Sequence, residues 1–357
     1  MKFQLVGQKE KICGIKIFSQ NLIIGDMNNN LFINQNLIAV DVDTQSASLI
    51  IFNNLLFFNI EDKKFCYDFF QSKLSELGNI HPYFNSISIS TKEVLGTHNS
   101  RIENGKFVWD TILYDLDKNI ILKTLPKLAN VSIAEIFNNN NIVTYKGASG
   151  FANFSLLTGN YEWETDLSHY RFRMSGQKYE ASIQQVIGVW EGQLLVWMQG
   201  NMFLSLSVET GEVLWEIRKW EYTEGKGHGY HFSQGVHLDE AAGKCYLFEC
   251  TCYLEIDLAT QKTTILWQED GISYGMRFAR PSFTKDYIYF LGGGFSSNSV
   301  GVFNRKTLQI DWLHQFEFDQ SGVEYIQLNQ PPQVADDKLY VLDTGGTLHI
   351  FEREERT

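Results

Sequence analysis

Residues 201–218 read NMFLSLSVETGEVLWEIR. The run before Thr210-Gly211 carries Phe203, Leu204, Leu206 and Val208, and the run after it carries Leu214, Trp215 and Ile217. Two apolar, β-rich runs separated by a Thr-Gly pair predict a hairpin. The chain repeats the pattern. Thr158-Gly159 leads to Trp163 in LLTGNYEWETDL, Thr260-Gln261 to Trp267 in IDLATQKTTILWQE, and Thr307 to Trp312 in VFNRKTLQIDWLHQF. The tryptophans stand at 163, 215, 267 and 312, in steps of 52, 52 and 45. A strand-and-turn unit recurring every ~40–50 residues marks a β-propeller blade. The expectation is an all-β propeller forming one domain over residues 1–357.

Outer strands are expected at residues 2–6, 64–69, 120–125, 161–167, 213–218, 264–268 and 309–316, which gives seven blades. Eight is the competing count, if the long unit from 8 to 70 conceals one more. In that unit Asn28, Asn29, Asn30, Asn34 and Asn36 read as turn and loop material. Arg101 to Trp109 reads as one strand. Lys2 to Val6 form a strand with no neighbour in sequence, while the last unit stops one strand short after Thr347 to Glu352. The N-terminal strand is therefore expected to complete the last blade and close the ring, which removes exposed edges.

The Thr-Gly-x-x-x-Trp spacing at Thr158 to Trp163 and Thr210 to Trp215, with segments such as DDKLYVLDTGGTLHIFE, resembles the repeats of pyrroloquinoline-quinone-type (PQQ-like) β-propellers. The resemblance covers residues from about 140 onward. It implies that Trp163, Trp215, Trp267 and Trp312 pack between neighbouring blades. Quinone-dependent members of that family carry adjacent cysteines and a calcium site with acidic and amide ligands. This chain has no adjacent cysteines, so the resemblance is to the cofactor-free branch and no cofactor is expected.

Asp and Glu total 42 against 30 Lys and Arg, a formal charge of -12. Such a surface repels phosphate, which argues against nucleic-acid and anionic-membrane partners. No stretch has the ~18 consecutive apolar residues of a membrane span. MKFQLVGQKEK turns polar too early for a secretory leader, and five scattered cysteines suit reduced thiols. The expected location is cytoplasmic.

Chemistry is sparse. Cys250 and Cys252, with Cys245 nearby, lack the second clustered pair that a structural metal site needs. His228, His231 and His237 sit in a Gly-rich stretch that reads as a loop. The Gly292-Gly293-Gly294 run follows a strand but precedes no helix, so a dinucleotide site fails its context. No catalytic or metal-binding residue is assigned.

The distinctive residues fall in the loops that cross from one blade to the next: 168–180, 219–235 and 269–280. They hold Arg171, Arg173, Tyr179, Trp220, Tyr222, His228, Tyr230, His231, Tyr274, Arg277 and Arg280. Tyr, Trp and Arg are the types enriched at interface hot spots. A neighbouring loop with Glu317, Asp319 and Glu324 is negative. Pairing of the arginines with Glu180, Glu221 and Asp270 is the competing, purely local reading. The expected function is a non-enzymatic protein-binding scaffold of inhibitor or immunity type, docking an acidic or aromatic-rich partner on this face. The alternatives are an enzyme acting on a small molecule or glycan in the central channel, and a subunit of a larger assembly marked by apolar outer strands.

Overall fold

Turn chemistry cuts the chain into short antiparallel strands. The computed structural model describes residues 2–43, 49–52, 55–61, 63–77, 81–82, 93–129, 131–138, 140–174, 176–218, 235–249, 252–268, 280–292, 298–317, 326–328 and 330–354. Within them lie eight four-stranded sheets and one separate hairpin. Strand β1 is Phe3–Lys9. Blade 1 comprises β2 (Ile12–Phe18), β3 (Asn21–Asp26), β4 (Leu31–Ile33) and β5 (Asn36–Ala39). Blade 2 has β6 (Ile50–Phe52), β7 (Leu55–Ile60), β8 (Lys63–Asp68) and β9 (Lys73–Leu77). Blade 3 has β10 (His81–Pro82), β11 (Glu93–Glu103), β12 (Lys106–Asp115) and β13 (Ile120–Thr124). Blade 4 has β14 (Ile133–Asn138), β15 (Asn141–Tyr145), β16 (Gly150–Ser155) and β17 (Asn160–Asp166). The separate hairpin, β18 (Arg171–Met174) and β19 (Gln177–Glu180), comes next. Blade 5 has β20 (Ile183–Trp190), β21 (Gln193–Met198), β22 (Met202–Ser207) and β23 (Val213–Ile217). Blade 6 has β24 (His237–Asp239), β25 (Lys244–Glu249), β26 (Cys252–Asp257) and β27 (Lys262–Gln268). Blade 7 has β28 (Ser282–Phe283), β29 (Tyr287–Gly292), β30 (Ser299–Asn304) and β31 (Gln309–Gln315). Blade 8 has β32 (Gln333–Ala335), β33 (Lys338–Leu342) and β34 (Leu348–Arg353), with β1 paired antiparallel on β34 from Phe3↔Arg353 to Lys9↔Leu348.

This is an all-β propeller, and it has eight blades rather than seven. The miscount began in blade 1, whose outer strands span only three and four residues between asparagines. Asn28 to Asn30 form one turn there, in which Asp26 Oδ1 accepts the backbone N–H of Asn28 and of Asn30. Asn34 and Gln35, at φ 49° and 72°, form the next turn as the two-residue loop of a type I′ hairpin. The asparagines thus mark two tight turns with a strand between them. Residues 64–69 fall largely on β8, the third strand of its blade, and β9 is the outermost. Arg101 to Trp109 is not one strand either. Asn104-Gly105 breaks it with φ 51° and 75°, and Glu103 faces Lys106 across the turn.

The blades group into two compact units. Residues 47–221 hold blades 2 to 5 and the separate hairpin; residues 1–46 with 222–357 hold blades 1, 6, 7 and 8. Within each unit the apolar core lies between consecutive blades. In the first, Val143 and Phe151 of blade 4 pack with Leu194, Val196 and Leu204 of blade 5. In the second, Val300 and Val302 of blade 7 pack with Phe3, Leu339 and Phe351 of blade 8.

One local device recurs. In blades 2 to 7 the third strand ends on Asp68, Asp115, Ser155, Ser207, Asp257 or Asn304, whose side chain accepts the backbone N–H three residues on. These bonds hold the Asp115 and Asp257 carboxyls below the usual carboxylate range, led by the backbone N–H of Lys118 and of Thr260. The residue after that donor has positive φ in all six blades: Ser72, Asn119, Gly159, Gly211, Gln261 and Leu308. In blades 3 to 7 the fourth strand then skips one residue against the third, at Leu122, Glu162, Leu214, Leu266 and Asp311. Such a bulge bends and twists the strand. In blades 4 to 7 the residue after the bulge is the repeat tryptophan. In blade 6 two extra ladder pairs precede the bulge, so Trp267 comes two residues late, one full strand period, and keeps its face.

Three of these indoles reach the next blade. Trp163 Nε1–H donates to the Val208 carbonyl at 2.9 Å. Trp267 lies 5.1 Å from the ring of Phe303, and Trp312 5.4 and 5.3 Å from those of Phe3 and Phe351. Trp215 stacks instead on Phe203 and donates to Gln193 Oε1 at 2.8 Å, both in its own blade. Gly211 lies directly under Trp163, where an added Cβ would come 2.5 Å from indole Cε3. Gly105 also has positive φ but faces open space. Gly211→Ala should therefore cost about 3 kcal/mol or more, backbone strain plus overpacking, and Gly105→Ala about 1 kcal/mol from strain alone. Urea midpoints of the two variants test this separation.

Candidate protein-binding surface

The segment RFRMSGQKYE alternates in type on both sides of Ser175-Gly176. Gly176, at φ 81°, takes the left-handed position of a two-residue turn, and Met174 faces Gln177 across it. The register then fixes which side chains share a face, because directly opposed residues of an antiparallel pair lie on one side. Phe172 opposes Tyr179, their rings 5.7 Å apart. Arg171 opposes Glu180 and Arg173 opposes Lys178 on the other face.

The aromatic face is the anchor. Phe172 packs on the blade 4–blade 5 core and against Gly200 of the β21–β22 turn, where any Cβ would meet the Phe172 ring at Cγ within 3.0 Å. The base is tied on both sides. Ala181 N–H donates to the Tyr170 carbonyl at 3.0 Å, and Ser149 Oγ–H donates to the Ala181 carbonyl at 3.0 Å. Below it Tyr170, buried, donates its hydroxyl to Glu216 Oε2 at 2.6 Å. Arg218 grips the same carboxylate in a fork, Nε–Oε1 at 2.7 Å and Nη2–Oε2 at 2.9 Å, and its guanidinium lies 4.6 Å above the Tyr170 ring. Burial raises the Glu216 carboxyl, but the hydrogen bonds from Arg218 and Tyr170 outweigh it and hold the group below the usual range.

The other face carries charge. Arg171 and Glu180 form an ion pair at 3.6 Å, and Arg171 also donates to the Tyr170 carbonyl at 2.9 Å. That is the local pairing. Arg173 and Lys178, both exposed, have no carboxylate partner among the described residues. Two like charges stand directly opposite each other, a placement that destabilises a strand pair by ~0.2–1 kcal/mol.

The structure thus gathers Arg171, Arg173 and Tyr179 on one hairpin. Arg280 is exposed and belongs to the other unit. Trp220, Tyr222, His228, Tyr230, His231, Tyr274 and Arg277 lie outside the described residues, as do Asp319 and Glu324. Lys178, Tyr170, Glu216 and Arg218 were missed. A turn read from the Ser-Gly pair of the sequence would have exposed Lys178 as the partner of Arg173; the other three meet only through tertiary packing.

The remaining candidate groups have ordinary settings. Cys66, Cys245 and Cys252 are buried, and burial pushes the Cys66 thiol up to about 12. Cys250 lies outside the described residues. His237 stacks on Phe283 at 4.5 Å, and burial, then Arg305, lowers its pKa. Among the described residues no group of three or more His, Cys, Asp or Glu is placed to hold a metal.

No family profile matches the chain, and no curated protein matches it in sequence. Its fold is similar to those of many solved structures, among them these three. Sqt1 of Saccharomyces cerevisiae is 10% identical with a TM-score of 0.58, covering 99% of each chain. BamB from Moraxella catarrhalis is 11% identical with a TM-score of 0.54, covering 98% of this chain and 100% of that one. The computationally designed Ika8 protein is 11% identical with a TM-score of 0.51, covering 98% of each. At these identities the likeness shows the propeller fold alone.

The Tyr170 contact can be tested through pH. Burial, then the hydrogen bond to Glu216, pushes its phenol up to about 12. A phenol raised above its free value of ~10 stabilises the fold while protonated, fully below pH ~10 and less as pH climbs through the folded value. Tyr170→Phe should cost about 1–2 kcal/mol near neutral pH, and the wild-type advantage should shrink by about pH 11, read from urea midpoints of both proteins.

Proposed function

We propose that this propeller is a cofactor-free protein-binding scaffold whose β18–β19 hairpin docks an acidic surface of its partner. The observation that carries the reading is the opposed pair Arg173 and Lys178. A chain with 42 acidic residues leaves these two cations opposed on one hairpin, at a cost to its own stability. A partner carboxylate set between them would relieve that repulsion and gain two charge-assisted bonds. The partly buried Phe172 and the Tyr170–Glu216–Arg218 group tie the base of the hairpin to blades 4 and 5, which lowers the ordering cost of binding. Arg280, of the other unit, and the aromatic residues of the 219–235 and 269–280 stretches are further candidates for partner binding.

The role that fits is an inhibitor or immunity-type protein acting in the cytoplasm, which neutralises an enzyme or toxin by covering it. Its partner is a protein rather than nucleic acid or membrane. The repeats are those of a PQQ-like propeller, and residues 1–357 form a single domain with β1 as the clasp that closes one ring. A closed particle of this length should have a radius of gyration of about 21 Å by small-angle scattering. A clearly larger value would refute closure.

The experiment for the docking face is affinity capture from lysate with wild type and with Arg173→Glu/Lys178→Glu. Both side chains are exposed, so the variant should keep the wild-type melting curve. One stoichiometric partner held by wild type and weakened by about 100-fold in the variant is expected. Equal retention by both proteins would overturn the hairpin as the docking site.

A further inference from the structure

We infer that the outer edge of β13 is a second docking site, which takes an extended segment of a partner protein bearing apolar and acidic side chains. β13 ends its sheet, so its outer N–H and C=O groups have no ladder partner among the described residues. Two other outer strands carry charge that discourages such an edge from pairing: Glu162 and Glu164 on β17, Asp311 on β31. β13 instead opens with Ile120, Ile121 and Leu122, exposed by 46, 40 and 40%. Leu157, 72% exposed, adds to them from the neighbouring β16–β17 turn. That turn is adjacent, since Lys123 Nζ donates to the Leu156 carbonyl at 2.8 Å.

The charge around this strip selects the occupant. Lys123 bonds that carbonyl, and Lys127 bonds the Asn160 amide oxygen; neither has a carboxylate partner among the described residues. A second copy of the chain, edge against edge, would bring four such lysine charges together and is disfavoured. A partner strand with carboxylates beside its apolar residues satisfies the backbone, the aliphatic side chains and both cations at once. The bulge at Leu122 confines the ladder to the first half of the strand, so side-chain contacts must carry the remainder. In a blade the third-to-fourth turns lie at the opposite end from the blade-to-blade crossings, so this site and the β18–β19 hairpin are distinct.

The test uses a fluorescein-labelled peptide of about ten residues alternating Val and Glu, with a Val/Lys counterpart, titrated with the full chain and read by anisotropy. Saturable binding of the acidic peptide is expected, weaker by about tenfold or more for the basic one and for Ile121→Lys/Leu122→Lys. Binding should survive Arg173→Glu/Lys178→Glu. No saturable binding of the acidic peptide, or equal binding by wild type and the β13 variant, would overturn the inference. So would loss in the hairpin variant alone, or a wild-type dimer in sedimentation equilibrium that the β13 variant dissolves.

Discussion

The structure depends on one backbone constraint: a residue held in the left-handed region four positions after the capping Asp, Ser or Asn in each of six blades. That residue lets the third strand reverse into the fourth within a single turn, which starts the fourth strand in fixed phase. The bulge that follows in five of them then sets the face of the next side chain, which in four of the five reaches a neighbouring blade. Gly159 and Gly211 meet the constraint without strain, whereas Gln261 and Leu308 accept roughly 1 kcal/mol or more each. Gly211 is further confined, because Trp163 of the preceding blade rests on it. Blade geometry and blade-to-blade packing therefore meet at one atom, the absent Cβ of Gly211.

That constraint also explains which parts of the fold were legible. Where Thr-Gly and Trp stand in register, from residue 140 onward, the repeat could be read from spacing alone, and those blades lie where the tryptophans put them. In the first 140 residues the same turn is built by Asp68 with Ser72 and by Asp115 with Asn119, residue types common in any loop. No tryptophan follows either: blade 3 places Lys123 after its bulge, and blade 2 has no bulge. The informative letter was the cap at the end of the third strand, and its value comes from a hydrogen bond that periodicity does not register. Blade 1 failed for a different reason. Its two-residue Asn34-Gln35 turn is so tight that the flanking strands are too short to show alternation.

The candidate site divides in the same way. Arg171, Arg173 and Tyr179 could be found because basic and aromatic residues are conspicuous in an acidic chain. Their arrangement could not, because it rests on the register of the hairpin: shifting β19 by one residue would set Lys178 against Phe172 and turn every side chain to the other face. Tyr170, Glu216 and Arg218 converge from segments 46 residues apart along the chain, and nothing local marks them. The chain's arginines also have unequal roles. Arg218 is committed to Glu216, and Arg305 to Tyr253 Oη and the Thr284 carbonyl, which makes them structural despite their charge.

Net charge is therefore a poor guide to what this surface attracts. At physiological salt a charge is felt over ~8 Å, so a partner approaching the hairpin meets Arg173 and Lys178 rather than the average of 42 acids. The acidic remainder still acts, by repelling acidic molecules that approach away from such basic patches. A small basic site on an acidic body would thus gain orientation as well as attraction. The proposed β13 site follows the complementary logic, in which unpaired backbone and aliphatic side chains would supply contact and two lysines the sign. In both proposals selectivity would follow from what the rest of the surface refuses.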